Sequence, residues 1–404
     1  MKKYTHAWLA MMAMKRIEKA AIPSLYKHDA KELITWFKDF RDFVISGAWY
    51  PDSVFKDMST SHILKYTPDP KSADMSFRRM PATLQTYNFC KEDELARTPF
   101  RIKSGNICDR CESFTESLID SFKILESEGK GVPIVPSCNH TAMRFFILSH
   151  YIADCHMPLH CDARSLSAVH TFIEEEWDKQ VRESYELDEA NERFFYDPDG
   201  YPLKKNITPL MEKVEKELES REFYWDWGPD CKNTWDYMSG ISQYSYLMAY
   251  KLVPADKAAS DITKAWYSGT DAFTQHFEEY SWMIFTDAIE SIAKIWLHAW
   301  VRYKCWQRGC ELATLRAEES DAEKAWSTAI KIVDTYPDKI EELTAGLAGK
   351  KGKNLENAKA KIATLQEELT EAANTVDNLY TLYFAASLKT EAKTEEYSKY
   401  GTNY

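Results

Sequence analysis

Apolar residues recur at three- and four-residue spacing along almost the whole chain, and stretches that alternate apolar with polar side chains are scarce. That periodicity marks one face of a helix rather than one face of a sheet. The chain is therefore read as all-α. Helices are predicted over 5–21, stopped by Pro23, and over 30–46, 112–128, 140–156, 166–183, 207–222, 233–252 and 257–309. Between 184 and 235 lies an aromatic, acidic insert with DPDGYP and WDWGPD turns, expected to be a long loop packed over the helical body. Its Tyr224, Trp225 and Trp227 are candidates for lining a substrate cleft.

After Gly309 the composition shifts to Ala, Glu, Lys and Leu. Residues 311–335 and 354–389 read as two long helices, separated by Pro337 and the GLAGKKGK turn at Gly346, Gly349 and Gly352. They are expected to form an antiparallel helical hairpin with a solvated outer face. No metal-type cluster occurs in it, so it is expected to supply packing, a protein-partner surface or self-association. The 404 residues divide accordingly into a body over 1–310 and an appendage over 311–404.

With 13 Trp, 23 Tyr and 19 Phe the body can bury a substantial core, and 51 basic against 63 acidic residues argue against general affinity for nucleic acid. No apolar run reaches the roughly eighteen residues of a membrane span. MKKYTHAWLAMMAMKR imitates a signal peptide, but its apolar run ends at Lys15 and Arg16 without a small-residue cleavage site and continues as an amphipathic helix. A cytoplasmic protein is expected, with export as the alternative if residues 1–21 act as a signal. Nine cysteines without a framework spacing suit a reducing compartment. Cys108 and Cys111 form a Cys-x-x-Cys, with Cys90 and Cys138 elsewhere; ordinary thiols are favoured over a structural metal or a redox disulfide.

Chemistry concentrates in FFILSHYIADCHMPLHCDARSLSAVHTFIEEEW, which holds His150, Asp154, His160, His170 and Glu174. His150 and Asp154 are four apart, as are His170 and Glu174, so on helices each pair projects from one face a turn apart. Pro158 and the CDARS stretch break the helix and leave His160 on a connection between the pairs. Imidazole nitrogens with carboxylate oxygens suit zinc. The flanking apolar residues imply partial burial, where unpaired carboxylates are costly and a cation is the natural compensation. Cys155 and Cys161 flank candidate ligands, but adjacent helix positions point about a hundred degrees apart, so they need not face the cluster; His156 is likewise off the His150 face and is read as structural.

At these residues the chain resembles the zinc-dependent phospholipase C family and the related S1/P1 nucleases. The shared pattern is His, three residues, Asp, five residues, His, a variable gap, then His, three residues and an acid. His-Thr-Phe-Ile-Glu is the phospholipase form of its last part, since the nucleases typically end in His-x-x-Trp-Asp. GAWYPDSVFKDMSTSH resembles the family's Gly-Ala-x-x-Pro-Asp segment, with Asp52 and His62 as its ligands and Asp57 as a competing carboxylate. His6, opening an apolar helix, matches the family's amino-terminal His.

The resemblance covers roughly residues 5–180 and implies a multi-helix body like those of zinc-dependent phospholipase C and P1 nuclease. It implies two to three Zn2+ ions: one held by Asp52, His62, His150 and Asp154, a second by His160, His170 and Glu174, a third by His6, Asp154 and a terminal amine. The family's terminal Trp is absent, and the Met1 amine is expected to substitute. Asp52 would orient or deprotonate the attacking water. The implied activity is hydrolysis of a phosphodiester or phospholipid headgroup, with Ser53 speaking against a choline preference. An S1/P1-type nuclease or 3′-nucleotidase, and a non-catalytic zinc-stabilised scaffold, are the alternatives.

Overall fold

The structure, a computed structural model, describes residues 1–56, 60–66, 106–126, 137–162, 164, 166–225, 233–253 and 271–400. The fold is all-α. Its helices are α1 (Lys3–Lys19), α2 (Lys27–Val44), α3 (Ile107–Glu126), α4 (Cys138–His156), α5 (Ser167–Ser184), α6 (Pro209–Ser220), α7 (Thr234–Leu252), α8 (Asp271–Val333), α9 (Thr335–Ala345) and α10 (Lys353–Ser398). Short helical turns at Ile45–Trp49, Pro51–Phe55, Thr60–His62 and Pro158–His160 connect them. The chain forms two compact units, Met1–Tyr303 and Lys304–Tyr404. Among the described residues no helix is long and apolar enough to cross a membrane.

In the first unit α4 is the hub, packed against α1, α2, α3, α7 and the Ile45–Trp49 turn. Ser137 caps its start by accepting from the His140 amide, and Pro158 ends it by forcing Met157 into an extended conformation (ψ 110°). Trp296 of α8 is fully buried against Phe37, Phe145 and Phe146, and its indole donates to the Phe145 carbonyl at 2.9 Å. Tyr4 to Met14, with Arg16 and Ile17, are all buried, so α1 is enclosed on every side rather than amphipathic as its sequence pattern suggests.

The segment over 184–235 is more ordered than a loop. β1 (Leu187–Asp188) and β2 (Arg193–Phe194) pair antiparallel, with Leu187 opposite Phe194, and α6 comes after them. Trp225 stacks on His298 at 5.2 Å and lies 4.4 Å from Tyr26, while its carbonyl accepts from the His298 ring at 2.8 Å. Those contacts dock Trp225, half-buried, on the body. Tyr224 is exposed, and Trp227 lies outside the described residues.

The expected break at Gly309 does not occur: α8 runs on to Val333, since a helix-interior glycine costs only about 1 kcal/mol and the apolar spacing continues through Leu312, Leu315, Ala322 and Trp326. In the second unit Trp326 stacks on Tyr383 with ring centroids 5.4 Å apart, so α8 and α10 pair as a hairpin. Pro337 sits in the first turn of α9, where its missing N–H is not needed. Gly349 and Gly352 take positive φ in the turn before α10.

Gly47 sets how near the Ile45–Trp49 turn can come to α4. A Cβ there would lie within 2.6 Å of the Met143 carbonyl and 2.9 Å of its side chain on that helix. Only glycine allows so close an approach, and the turn leads directly to Asp52. Gly47→Ala should cost ~1–3 kcal/mol in urea unfolding. Because it pushes Asp52 away from α4, it should also weaken retention of any metal ion held at Asp52 in a chelator competition. Unchanged metal retention would show that Asp52 tolerates the shift.

Candidate metal centre

Six separate pieces of chain deliver the sequence-nominated residues to one place. His6 comes from α1, Asp52 from the Pro51–Phe55 turn, His62 from the Thr60–His62 turn, His150 and Asp154 from α4, His160 from the Pro158–His160 turn, and His170 and Glu174 from α5. Seven of these eight form two groups, Asp52, His62, His150 and Asp154, and His160, His170 and Glu174, in each of which the ligand atoms all lie within 4.8 Å of one another; His6 stands beside the first. Neither group includes a cysteine. Cys108, Cys111, Cys155 and Cys161 are buried free thiols, and Asp57 and Cys90 lie outside the described residues.

In the first group His150 Nε2 lies 2.9 Å from His62 Nε2, 3.3 Å from Asp154 Oδ2 and 3.5 Å from Asp52 Oδ1. In the second, His170 Nε2 lies 3.0 Å from His160 Nε2 and 2.8 Å from Glu174 Oε1. Asp154 stands between the groups, its Oδ2 3.6 Å from His160 Nδ1. Its Oδ1 is 3.3 Å from His6 Nε2 and 2.8 Å from the Met1 amine, which also lies 2.8 Å from Glu174 Oε1. The His6 ring stacks on His150 at 3.9 Å, and neither of its nitrogens makes a hydrogen bond.

Backbone carbonyls orient two of the rings. His150 Nδ1–H donates to Ala48 O at 2.8 Å, and His160 Nδ1–H to His62 O at 3.0 Å, turning both Nε2 lone pairs inward. Such outer bonds fix the tautomer of a metal-ligating histidine. They escaped the sequence reading because a carbonyl acceptor has no signature of its own. Each inward lone pair faces a second imidazole, His150 Nε2 at 2.9 Å from His62 Nε2 and His160 Nε2 at 3.0 Å from His170 Nε2, and lone pairs that close repel unless a proton or cation lies between them. Asp154 is 1% exposed and Glu174 8%, so their charge cannot be left to water. The donor set, the ring contacts and the unpaired His6 nitrogens all fit divalent metal ions of the zinc type.

Without metal, the site is held by protons and the amine. Burial opposes the charged ring of His150, yet Asp154 and Asp52 outweigh it and hold the group up at about 9. Burial and the neighbouring His150 push His6 down to about 3. Despite burial, Asp154 and Glu174 are held well below the usual carboxylate range by the amine and the surrounding imidazoles. The Met1 amine is raised to about 11 because Asp154 and Glu174 overcome its burial. His156, by contrast, is lowered by burial to about 3 and bonds Ser291 Oγ at 2.8 Å, a core histidine as its spacing implied.

No protein-family model matches this chain, and no curated protein matches it. Among solved structures it is similar to the Clostridium perfringens alpha-toxin isolated from avian strain SWCP, with 13% sequence identity and a TM-score of 0.36. That likeness covers 73% of this chain and 63% of the other, so the chain spans under two thirds of that protein's length.

Asp154→Asn should lower the metal content of purified protein more than any other single substitution in the two groups, because its two oxygens face five of the donors; elemental analysis checks this. A ligating imidazole must be neutral, so uptake of a metal ion at the first group should expel the His150 proton, and affinity should weaken about tenfold per unit as pH falls below 9. Titration calorimetry in buffers of different ionisation enthalpy reads that proton. In the metal-free protein the same raised group stabilises the fold fully below its ordinary value of 6.5, and the contribution is lost as pH rises through about 9.

Proposed function

We infer that this chain is a zinc-dependent phosphodiester hydrolase of the phospholipase C type. One observation carries the reading: two groups of imidazole and carboxylate donors converge on a single buried carboxylate, Asp154, while Asp52 keeps a third of its side chain open to solvent. Asp52, His62, His150 and Asp154 would hold one ion, and His160, His170 and Glu174 another. His6 with Asp154 forms a third position beside them. Bound zinc supplies an ionisable water near neutral pH and neutralises developing charge on a phosphoryl group.

The side chains divide the remaining work. Asp52 Oδ1 faces both His62 Nε2 at 3.4 Å and His150 Nε2 at 3.5 Å from the open side of the site. Despite burial, the two imidazoles hold it well below the usual carboxylate range, so it is ionised at neutral pH. A carboxylate that weakly basic serves better to orient an attacking water through a hydrogen bond than to store its proton. Asp154 and Glu174, both buried, keep the other charges fixed in register. Ser53 Oγ donates to the Trp49 carbonyl at 3.0 Å, so its hydroxyl is spent on the turn rather than on headgroup selection.

The test is a hydrolysis screen over phospholipids, bis(p-nitrophenyl) phosphate and single-stranded DNA, run beside metal analysis. Turnover of a phosphodiester should vanish with a chelator and return with zinc. Asp52→Asn should lower kcat by about 10²-fold or more. Cleavage of single-stranded DNA alone would make the nuclease reading correct. Zinc binding without turnover of any substrate would make the centre a structural staple.

A further inference from the structure

Asp178 lies one turn beyond Glu174 on α5, and its Oδ1 accepts from the backbone amides of Tyr4 at 3.0 Å and Thr5 at 3.1 Å, with the Thr5 hydroxyl at 3.5 Å. These are first-turn donors of α1, which have no partner within their own helix. Lys2, at the capping position, offers α1 no side-chain bond, and the first main-chain bond of the helix runs from His6 to Lys2. The cap thus comes from another helix. A carboxylate is well suited to that end of a helix, where the partial charge is positive.

The helix that supplies the cap also carries His170 and Glu174. Glu174 holds the Met1 amine at 2.8 Å, while Asp178 holds the amides of the two residues that precede His6. Two acids four residues apart on one rigid helix therefore grip the start of α1 at two points. His6 needs this grip, because its ring makes no hydrogen bond that would fix it and its Nε2 reaches Asp154 only at 3.3 Å.

We propose that Asp178 is a positioning residue of the metal centre: it clamps the first turn of α1 to α5 and so holds His6 against Asp154. The role of His6 as a ligand rests on the metal-centre reading, but its placement by Asp178 does not.

The experiment uses the full chain with Asp178→Ala and Asp178→Asn. His6 reactivity toward diethyl pyrocarbonate is followed by mass spectrometry in metal-free protein, with the buried His156 as internal reference. Zinc content is measured on the same preparations before chelation. In Asp178→Ala the His6 rate should rise about tenfold relative to His156, as expected when loss of a cap allows a helix end to open locally. Bound zinc should fall by about one ion. Asn retains an oxygen acceptor, so Asp178→Asn should stay close to wild type in both. An unchanged His6 rate, or an equal rise at His156, would overturn the positioning role. If Asp178→Ala does not fold, Asp178→Glu carries the same test, since its longer arm displaces the acceptor and must also raise the His6 rate. Wild-type protein devoid of zinc would sink the metal reading, while the His6 rates would still decide the role of Asp178.

Discussion

A carboxylate with 1% exposure must be matched by positive charge, and that requirement at Asp154 governs the architecture around it. Its two oxygens are approached by imidazoles from α1, α4 and two connecting turns, and by an amine. Apart from His150 on its own helix, these neighbours arrive on three other pieces of chain, so the charge is satisfied only when all of those pieces are in place. The aromatic core around Trp296 and Phe37 gives α4 the rigidity this needs. A carboxylate on a mobile segment would simply turn to water.

Precision comes from small local devices. Proline at 158 stops α4 two residues after its last turn and sends the chain back, so that His160 returns towards the helix that carries His150. Glycine at 47 permits a backbone approach that no other residue could make. Carbonyls of Ala48 and His62 then lock two imidazoles in the orientation that leaves Nε2 free. The pieces are mutually dependent: the Ala48 carbonyl belongs to the turn that glycine allows, and the His62 carbonyl belongs to a residue of the site itself.

Much of this was legible in the sequence because i, i+4 spacing is a direct statement of helical geometry. His150 with Asp154 and His170 with Glu174 needed only the helices to exist, and α4 and α5 lie within two residues of where the apolar pattern put them. The contributions of His6, Asp52 and His62 could not be found from spacing, since their proximity is tertiary; only the resemblance nominated them. The continuation of α8 through Gly309 was missed because a compositional change was read as a break, whereas heptad spacing persisted beneath it. The β1–β2 pairing was missed because two-residue strands carry too short an alternation to register. Asp178 was invisible for a further reason: a cap supplied from another helix leaves no mark near the helix it caps.

The enclosure of α1 on all sides carries a cost in the order of assembly. Its buried residues, among them Trp8, Leu9, Met11, Met12 and Met14, are covered by elements that come later in the chain, including α5 and the Phe285 region of α8. During synthesis α2 and the Ile45–Trp49 turn follow soon after this apolar helix, but it must wait for more than a hundred residues before α4 and α5 exist to complete its cover. Contacts of such sequence separation form slowly, and exposed apolar surface in the interval is what chaperones bind and what aggregates. The α4 and α5 pairs, by contrast, need only local structure to become two-toothed chelators. The two i, i+4 pairs of the site can therefore take shape before α1 has docked, and His6 and the Met1 amine join them last.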